Sequence, residues 1–451
     1  MAITEKIANF IVKLSYSDLP RNVIKKAKLH VLDYIGVAID GSRSTIGKYV
    51  VKTLEKLGGV QEATIICGKK VPSLNAAFVN SILGHINDFD DGHRFAYGHP
   101  GVVVIPPCLA LAEREQASGK DVIVATVAGY EVFAKLGQAL NPSHLNRGFH
   151  TTGTCGVFAA AAASAKILGL DRKKIINALG IAGTQAAGLM EVFHGESMVK
   201  PLQPGRASQS GVLAVLLSEI PAPDTIIEGQ FGFARAYSDS YDLNVFNKNL
   251  GANFEILRCY FKLYSCCRHI HPTIDAVMYL VRKYEVTPED IERIIVRTYS
   301  TAAELTGFDY KPKTISTAKF SLPFCVATSI IKGNLDPSVF TEENINDPYI
   351  LSLAKRVRVE VDKELDSQVP LKRGSVVKIY KKDGTVLEHR VENPAGEPEN
   401  PVSDKVLLDK FMRNTSNILS EEGAKKVASL VMSLEEISDI SELMKLLSSY
   451  G

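Results

Sequence analysis

The sequence predicts a mainly α protein, a large helical body that carries a smaller α+β unit. Three observations predict it. Apolar residues recur at helical spacing from the first residues to about residue 285. The period then shortens to strand-like alternation, so that roughly 275–400 reads as a separate α+β unit. Helical spacing returns from 404 onwards. At 451 residues, two domains are the natural expectation.

Taken in order, residues 3–58 read as helices. Ile3, Ile7, Phe10, Ile11 and Leu14 share a face, and Ser17-Asp18-Leu19-Pro20 signals the start of the next helix. The stripe from 23 to 38 becomes wholly apolar towards its end, as in a helix that enters a core. Ser73 is the expected N-cap of a helix over 73–83. Pro100, Pro106 and Pro107 then read as interruptions, with buried helices expected over 103–114 and 121–140. Residues 147–156 read as a Gly-containing loop feeding an Ala-rich helix over 157–168, whose first amides are suited to an anion. A helix opens at 171. Residues 197–211 read as a turn, flanked by Lys200 and Arg206, before an apolar helix over 211–217. A further helix covers 274–282, a strand 291–299, a helix 324–332 and an alternating stretch 356–361. Residues 375–380 and 386–391 flank Asp383-Gly384, a strong hairpin signal. After the Pro/Gly-rich return 393–401, helices are expected over 404–413 and 421–448.

Composition excludes several classes of function. The chain is 45% hydrophobic and 23% charged, with a formal net charge of +2, which gives no electrostatic argument for nucleic acid or an anionic membrane. No apolar run reaches the roughly 18–20 residues of a membrane span, and the first residues lack the pattern of a signal peptide. Seven cysteines without paired or zinc-like spacing read as reduced thiols, and the expected compartment is the cytoplasm.

The chemistry concentrates in residues 84–101, which hold His85, Asp88, Asp90, Asp91, His93 and His99 between apolar flanks. Charges held near apolar walls need a partner or a task. Asp88 with His99, then His150, Lys200 with Arg206, and Lys262 with His271 supply acid–base groups and cations. Such a set suits proton transfer beside a carboxylate, with cations holding the anion. Cys267, bracketed by Lys262 and Arg268, reads as a thiol whose pKa those cations lower. Structural readings stand beside these. Asp90 and Asp91 fit caps or surface charges, at least one of them being so assigned. His85 and His93 fit either role, Gly153 and Gly156 fit helix packing, Cys155 and Cys266 fit small buried thiols, and Arg206 fits a helix C-terminus. His85, Asp88, Asp91 and His93 also offer donor atoms for a divalent ion. The second acidic cluster such sites use is missing from the sequence, so no metal is assigned. No P-loop, dinucleotide fingerprint or serine-nucleophile elbow is present.

The ordered segments resemble the MmgE/PrpD family, whose members include 2-methylcitrate dehydratases, cis-aconitate decarboxylases and iminodisuccinate epimerases. The resemblance rests on Leu32-Asp-Tyr-Ile-Gly-Val-Ala-Ile-Asp-Gly, His85-x-x-Asp-Phe-Asp-Asp with His99-Pro-Gly, Gly148-Phe-His-Thr-Thr-Gly-Thr, Lys200-Pro-Leu-Gln-Pro-Gly-Arg-Ala, the stretch from Lys262 to Asp275-Ala, and Glu397-Pro-Glu-Asn-Pro. It covers nearly the whole chain. It implies a helical domain built from both chain ends (1–272 and 403–451), an α+β lid over 273–402, a cleft between them, homodimers, and catalysis without cofactor or metal. It places catalytic roles on Asp88, His99, His150, Lys200 and Lys262, which also stand in the set chosen from the residues. Arg206, Cys267, Arg268 and His271 are the expected substrate-binding residues. The chain departs from the decarboxylase pattern at three places: Cys267 stands for a histidine, Phe324 for a tyrosine and Gly92 for a threonine. The expected activity is therefore loss of water from a small di- or tricarboxylate by proton abstraction α to a carboxylate. Epimerisation or decarboxylation of a related carboxylate is the neighbouring reading, and a catalytically silent dicarboxylate-binding dimer the reading from another class.

Overall fold

The computed structural model describes residues 2–193, 197–248, 250–307 and 309–448. Apolar side chains from both ends of the chain collect into one large core. It runs from Ile3 to Cys259 and resumes from Phe411 to Leu447. The join is direct, because helix Asp404–Thr415 packs along helix Arg21–Ser42, where a Cβ on Gly36 would stand 2.9 Å from the Phe411 ring. Burial of this shared face is what brings the last helices back to the first.

At its centre lies Thr151–Ile167, a helix rich in alanine and buried over most of its length, packed against Gly119–Leu140 and Leu202–Leu216. Small residues permit the close approach: a Cβ on Gly211 would come within 2.4 Å of the Ala160 Cβ.

Several elements differ from expectation, each for an identifiable reason. Pro106 and Pro107 lie inside a continuous helix, Gly101–Glu115. They remove the amides that would bond the carbonyls of Val102 and Val103. The Ser81 hydroxyl donates to the Val102 carbonyl instead, and the Ser208 hydroxyl lies 3.4 Å from both carbonyls. Ser73 is the first helical residue after Pro72 rather than the cap, and its N–H and hydroxyl both donate to Glu62. The helix expected at 157 begins at Thr151 with His150 at its N-cap, and the one expected at 211 begins at Leu202. Arg206 therefore sits on a helix and not in a turn. The long C-terminal helix is two, Glu421–Met432 and Ser441–Ser448.

A second core spans Cys266 to Ile379. Its sheet has four strands in the order Val357–Val361, Ile291–Thr298, Ser375–Lys381, Val386–Val391, the first pair parallel and the others antiparallel. Helices His271–Tyr284 and Leu322–Lys332 pack together, the former against the two hairpin strands and the latter against Val357–Val361. The hairpin turns at Asp383-Gly384, where Gly384 takes φ +88°. The fold is thus mainly α, a helical domain plus a smaller α+β unit. Among the described residues, no helix is long and apolar enough to cross a membrane.

Candidate active site

Helix Ser73–His85 ends at the seam between the two cores, and the loop that follows supplies the acids. Asp88 adopts φ +49°, a left-handed conformation that aspartate tolerates better than bulkier residues. Its carboxylate pairs with Lys200 on one oxygen and with Lys262 at 3.1 Å on the other. The Lys262 ammonium also donates to the Asp88 carbonyl at 2.8 Å. Burial pushes the Asp88 pKa up, but the two ammonium groups outweigh it and hold the carboxyl well below the usual range. Asp88 is therefore a fixed anion that orients lysines, too weak a base to share a proton near neutrality.

Asp90, next but one, faces two imidazoles. His85 Nδ1 lies 2.9 Å from one carboxylate oxygen and His99 Nδ1 lies 3.2 Å from the same atom. His99 Nδ1 is also 2.6 Å from the Asp91 carbonyl. Because these partners are acceptors, both Nδ1 atoms carry the proton and both Nε2 atoms are left basic. The Nε2 of His85 is buried with no hydrogen-bond partner among the described residues. His85 and His99 stand 4.9 Å apart between ring centroids, and His85 and His150 stand 6.4 Å apart. His150 Nδ1 is 2.6 Å from Gln203 Oε1, and Gln203 Nε2 donates to the Leu189 carbonyl. That second bond fixes which end of the amide faces the imidazole, so His150 Nδ1 donates and Nε2 is free. Burial, with Lys200 adding to it, holds His150 well below its ordinary pKa. Burial also pushes His85 down to about 4, against the pull of Asp90. Both are neutral imidazoles at physiological pH.

Aromatic rings wall the lysines. Phe193 and Phe320 each lie 5.5 Å from the Lys200 ammonium, and Phe193 also meets the His150 ring edge-on at 5.8 Å. Lys319, beside Phe320, reaches from the α+β unit to the loop before Asp88. Of the residues named from sequence, Asp88, His99, His150, Lys200 and Lys262 thus come together.

The others take different places. Arg206 is exposed, its guanidinium donating to Gln209. Arg268 pairs with buried Glu397 at 3.0 Å and binds the Ala395 carbonyl, tying down the 393–401 return. His271 is fully buried, takes an N–H from Arg268 on Nδ1 and faces the Cys266 carbonyl with Nε2. Cys267 lies close to Asp88, but burial and the Asp88 charge push its thiol up to about 12. The expected lowering by Lys262 is outweighed, and the thiol is neutral. Gly92 is crowded by its strand partner, since a Cβ there would lie 2.2 Å from the Tyr260 hydroxyl.

The four ligands weighed for a metal are dispersed. Asp88 is taken by lysines, and Asp91 by His30 at 2.8 Å, the Tyr130 hydroxyl at 2.5 Å and the Gly101 amide at 2.9 Å. His93 is taken by Glu255 at 3.1 Å. His85, Asp90 and His99 do place one donor atom each within 4.8 Å of one another. Their mutual hydrogen bonds, however, spend both Nδ1 lone pairs on protons. The Gly153 and Gly156 positions serve packing: a Cβ on Gly153 would meet the Ala187 carbonyl at 2.5 Å and one on Gly156 the Val103 side chain at 2.9 Å.

Sequence reasoning left the role of His85 open and missed those of Asp90, Gln203 and Lys319. Asp90 and Asp91, at least one of which was expected to be a cap or surface charge, are both buried. The one signal for Lys319 was a lone cation in front of the apolar run from Leu322.

Comparison with known proteins bears on the whole chain. The MmgE/PrpD N-terminal domain matches residues 5–245 and the MmgE/PrpD C-terminal domain residues 264–436. The chain is 29% identical to cis-aconitate decarboxylase of Aspergillus terreus, over 99% of this chain and 96% of that one. It is 27% identical to the Mus musculus cis-aconitate decarboxylase, over 99% and 93%. The mitochondrial 2-methylcitrate dehydratase of Yarrowia lipolytica is 24% identical, over 94% and 86%.

Proposed function

Because the chain belongs to the MmgE/PrpD family, we propose that it is a lyase acting on a small di- or tricarboxylate, with no cofactor. One observation carries the reading: neutral imidazoles with free Nε2 atoms, His85 and His150, stand beside the buried lysines that flank Asp88. The Lys200 and Lys262 ammonium groups hold substrate carboxylates and stabilise the charge that develops when the α-hydrogen leaves. His150 Nε2 takes that proton, a role suited to a neutral base fixed by Gln203. His99, when protonated on both nitrogens with Asp90 as its counter-ion, delivers its Nε2 proton to the departing hydroxyl, so that water leaves and the ring returns to its Nδ1–H form. The aromatic wall of Phe193 and Phe320 keeps bulk water out and strengthens these contacts.

Dehydration is preferred over decarboxylation because the three departures fall on groups without acid–base capacity. Cys267 is a neutral thiol, Phe324 a buried hydrocarbon ring, and Gly92 carries no side chain. Decarboxylation is the second reading, favoured by the names of the Aspergillus terreus and Mus musculus relatives. The surface supports a homodimer: Met198, Val199, Leu202, Leu216, Leu217 and Ile220 are exposed on and around helix Leu202–Leu216. A cytoplasmic enzyme fits its reduced thiols.

Proton NMR in D₂O with 2-methylcitrate, citrate, cis-aconitate, malate and iminodisuccinate tests the reading, with EDTA in parallel. New vinylic signals from a hydroxy acid support dehydration, and itaconate-type signals from cis-aconitate support decarboxylation. Deuterium entering a substrate without a new product indicates epimerisation. Binding without exchange or product in any of the five overturns the lyase reading in favour of a silent binder.

A further inference from the structure

Lys319 belongs to the α+β unit, at the end of the short helix Ile315–Ala318, yet its side chain is spent on the helical domain. Its ammonium lies 3.2 Å from Asn87 Oδ1 and 3.4 Å from the Ile86 carbonyl, both neutral acceptors. Among the described residues, no carboxylate lies within ion-pair distance of it. The residue is 4% exposed. An ammonium taken out of water without a counter-ion is costly, and structures pair such groups. Lys319 is the exception beside a site that has two other buried lysines and one carboxylate between them. With all three lysines charged, Asp88 leaves a surplus of two positive charges.

The surplus is held in place from both sides. Asn87, which receives Lys319, is itself fixed: its Nδ2 donates to Asp40 at 2.7 Å, and its carbonyl accepts from Ser265 at 2.6 Å. The Lys319 carbonyl accepts from the Cys267 amide at 2.9 Å, and the next residue, Phe320, walls Lys200. The lysine thus spans the seam between the two cores, aimed at the loop that presents Asp88.

We propose that Lys319 is a substrate-binding residue whose ammonium takes a second carboxylate, so that the site selects polycarboxylates over monocarboxylates. This rests on the carboxylate-lyase reading above. The charged groups that face Lys319 are Asp88 and Asp40, which favour its ammonium form, and Lys200 and Lys262, which oppose it. Burial outweighs the acids and brings its pKa down to about 8. An incoming carboxylate supplies the missing counter-charge and favours the ammonium form.

Calorimetry with two unreactive probes, tricarballylate and butyrate, tests this on the full chain. At pH 7 the protein binds tricarballylate at least a hundredfold more tightly than butyrate. Lys319→Met lowers tricarballylate affinity about ten- to a hundredfold, the size of one charge-assisted hydrogen bond in a dry site, and leaves butyrate within twofold. In the unsubstituted protein, tricarballylate affinity falls about tenfold per pH unit above pH 8 while butyrate affinity stays level. This arm stands if the Met variant fails to fold. Equal tricarballylate affinity in Lys319→Met, or a level pH profile, overturns the assignment to Lys319 and leaves the carboxylate reading intact. Failure of the unsubstituted protein to prefer tricarballylate overturns both.

Discussion

Two groups of histidines in this protein differ in how many ring nitrogens are already spent. His93 accepts the Ala96 amide on Nδ1 and meets Glu255 with Nε2. His144 meets the Tyr237 carbonyl and the Thr154 hydroxyl, and His271 meets Arg268 and the Cys266 carbonyl. Each of these three bridges two fixed groups. His85, His99 and His150 bond through Nδ1 alone among the described residues, to Asp90, Asp90 with the Asp91 carbonyl, and Gln203. The first group holds the chain in place, while the second keeps a lone pair for something that is not protein. Burial does not separate the groups, since members of both are buried. What separates them is valence left over.

The strongest way to break this comparison is to remove one imidazole from each group. His150→Ala is expected to lower kcat about 10²–10⁴-fold with a Tm near that of the parent, the range for loss of a general base. His144→Ala is expected to keep kcat per folded molecule within twofold and to lose about 1–3 kcal/mol of stability from two stranded partners. A parental rate in His150→Ala would dissolve the distinction. Steady-state kinetics and denaturant unfolding read both.

A second test concerns ion pairs. Lys410, from the returning C-terminal helix, pairs with Asp33 at 2.7 Å and donates to the Phe89 carbonyl inside the acidic loop. Unlike the lysines around Asp88, it is fully matched. Burial pushes Asp33 up to about 6 even with that ammonium beside it, so the lone acid would be worse off. Lys410→Met is expected to cost about 3–5 kcal/mol, much of which Asp33→Asn restores in the double variant. Urea unfolding of the two variants checks this, and no recovery in the double would mean the pair is not the source.

The smallest effect sharpens the comparison by pH. Burial pushes His144 down to about 4 from 6.5, so the folded chain resists a proton that the unfolded chain accepts. Its neutral form therefore contributes stability that is present above pH 6.5 and lost as pH falls towards 4. Between those values, stability of His144→Asn should fall less steeply than that of the parent by up to about 1.4 kcal/mol per pH unit. Parallel slopes would show that the ring is charged in the fold.

Much of this was legible in the chain. The hairpin at Asp383-Gly384 and the helical character of the last segments follow from local period and turn chemistry, which short windows contain, whereas their packing onto the first helices was implied only by the family resemblance. The unbroken helix through Pro106 and Pro107 does not, because the hydroxyls that serve its carbonyls come from residues 81 and 208. The site divides in the same way. Asp88, His150, Lys200 and Lys262 were marked by charge set among apolar neighbours. Asp90 and Asp91 were indistinguishable as adjacent residues, yet one faces imidazoles of the site and the other His30 and Tyr130 on the far side. Lys319 is a single cation whose meaning comes only from the helix end it reaches.

The contact between Gly92 and the Tyr260 hydroxyl bears on how this chain could diverge. A side chain cannot be introduced at 92 while the tyrosine ring occupies that space, whereas the ring can be trimmed while 92 is still glycine. A Cβ at 92 therefore requires the end of the Tyr260 ring to move, and trimming residue 260 first opens the room without that shift. The easier path to threonine at 92 runs through a smaller residue at 260, so the two positions are expected to vary together across descendants.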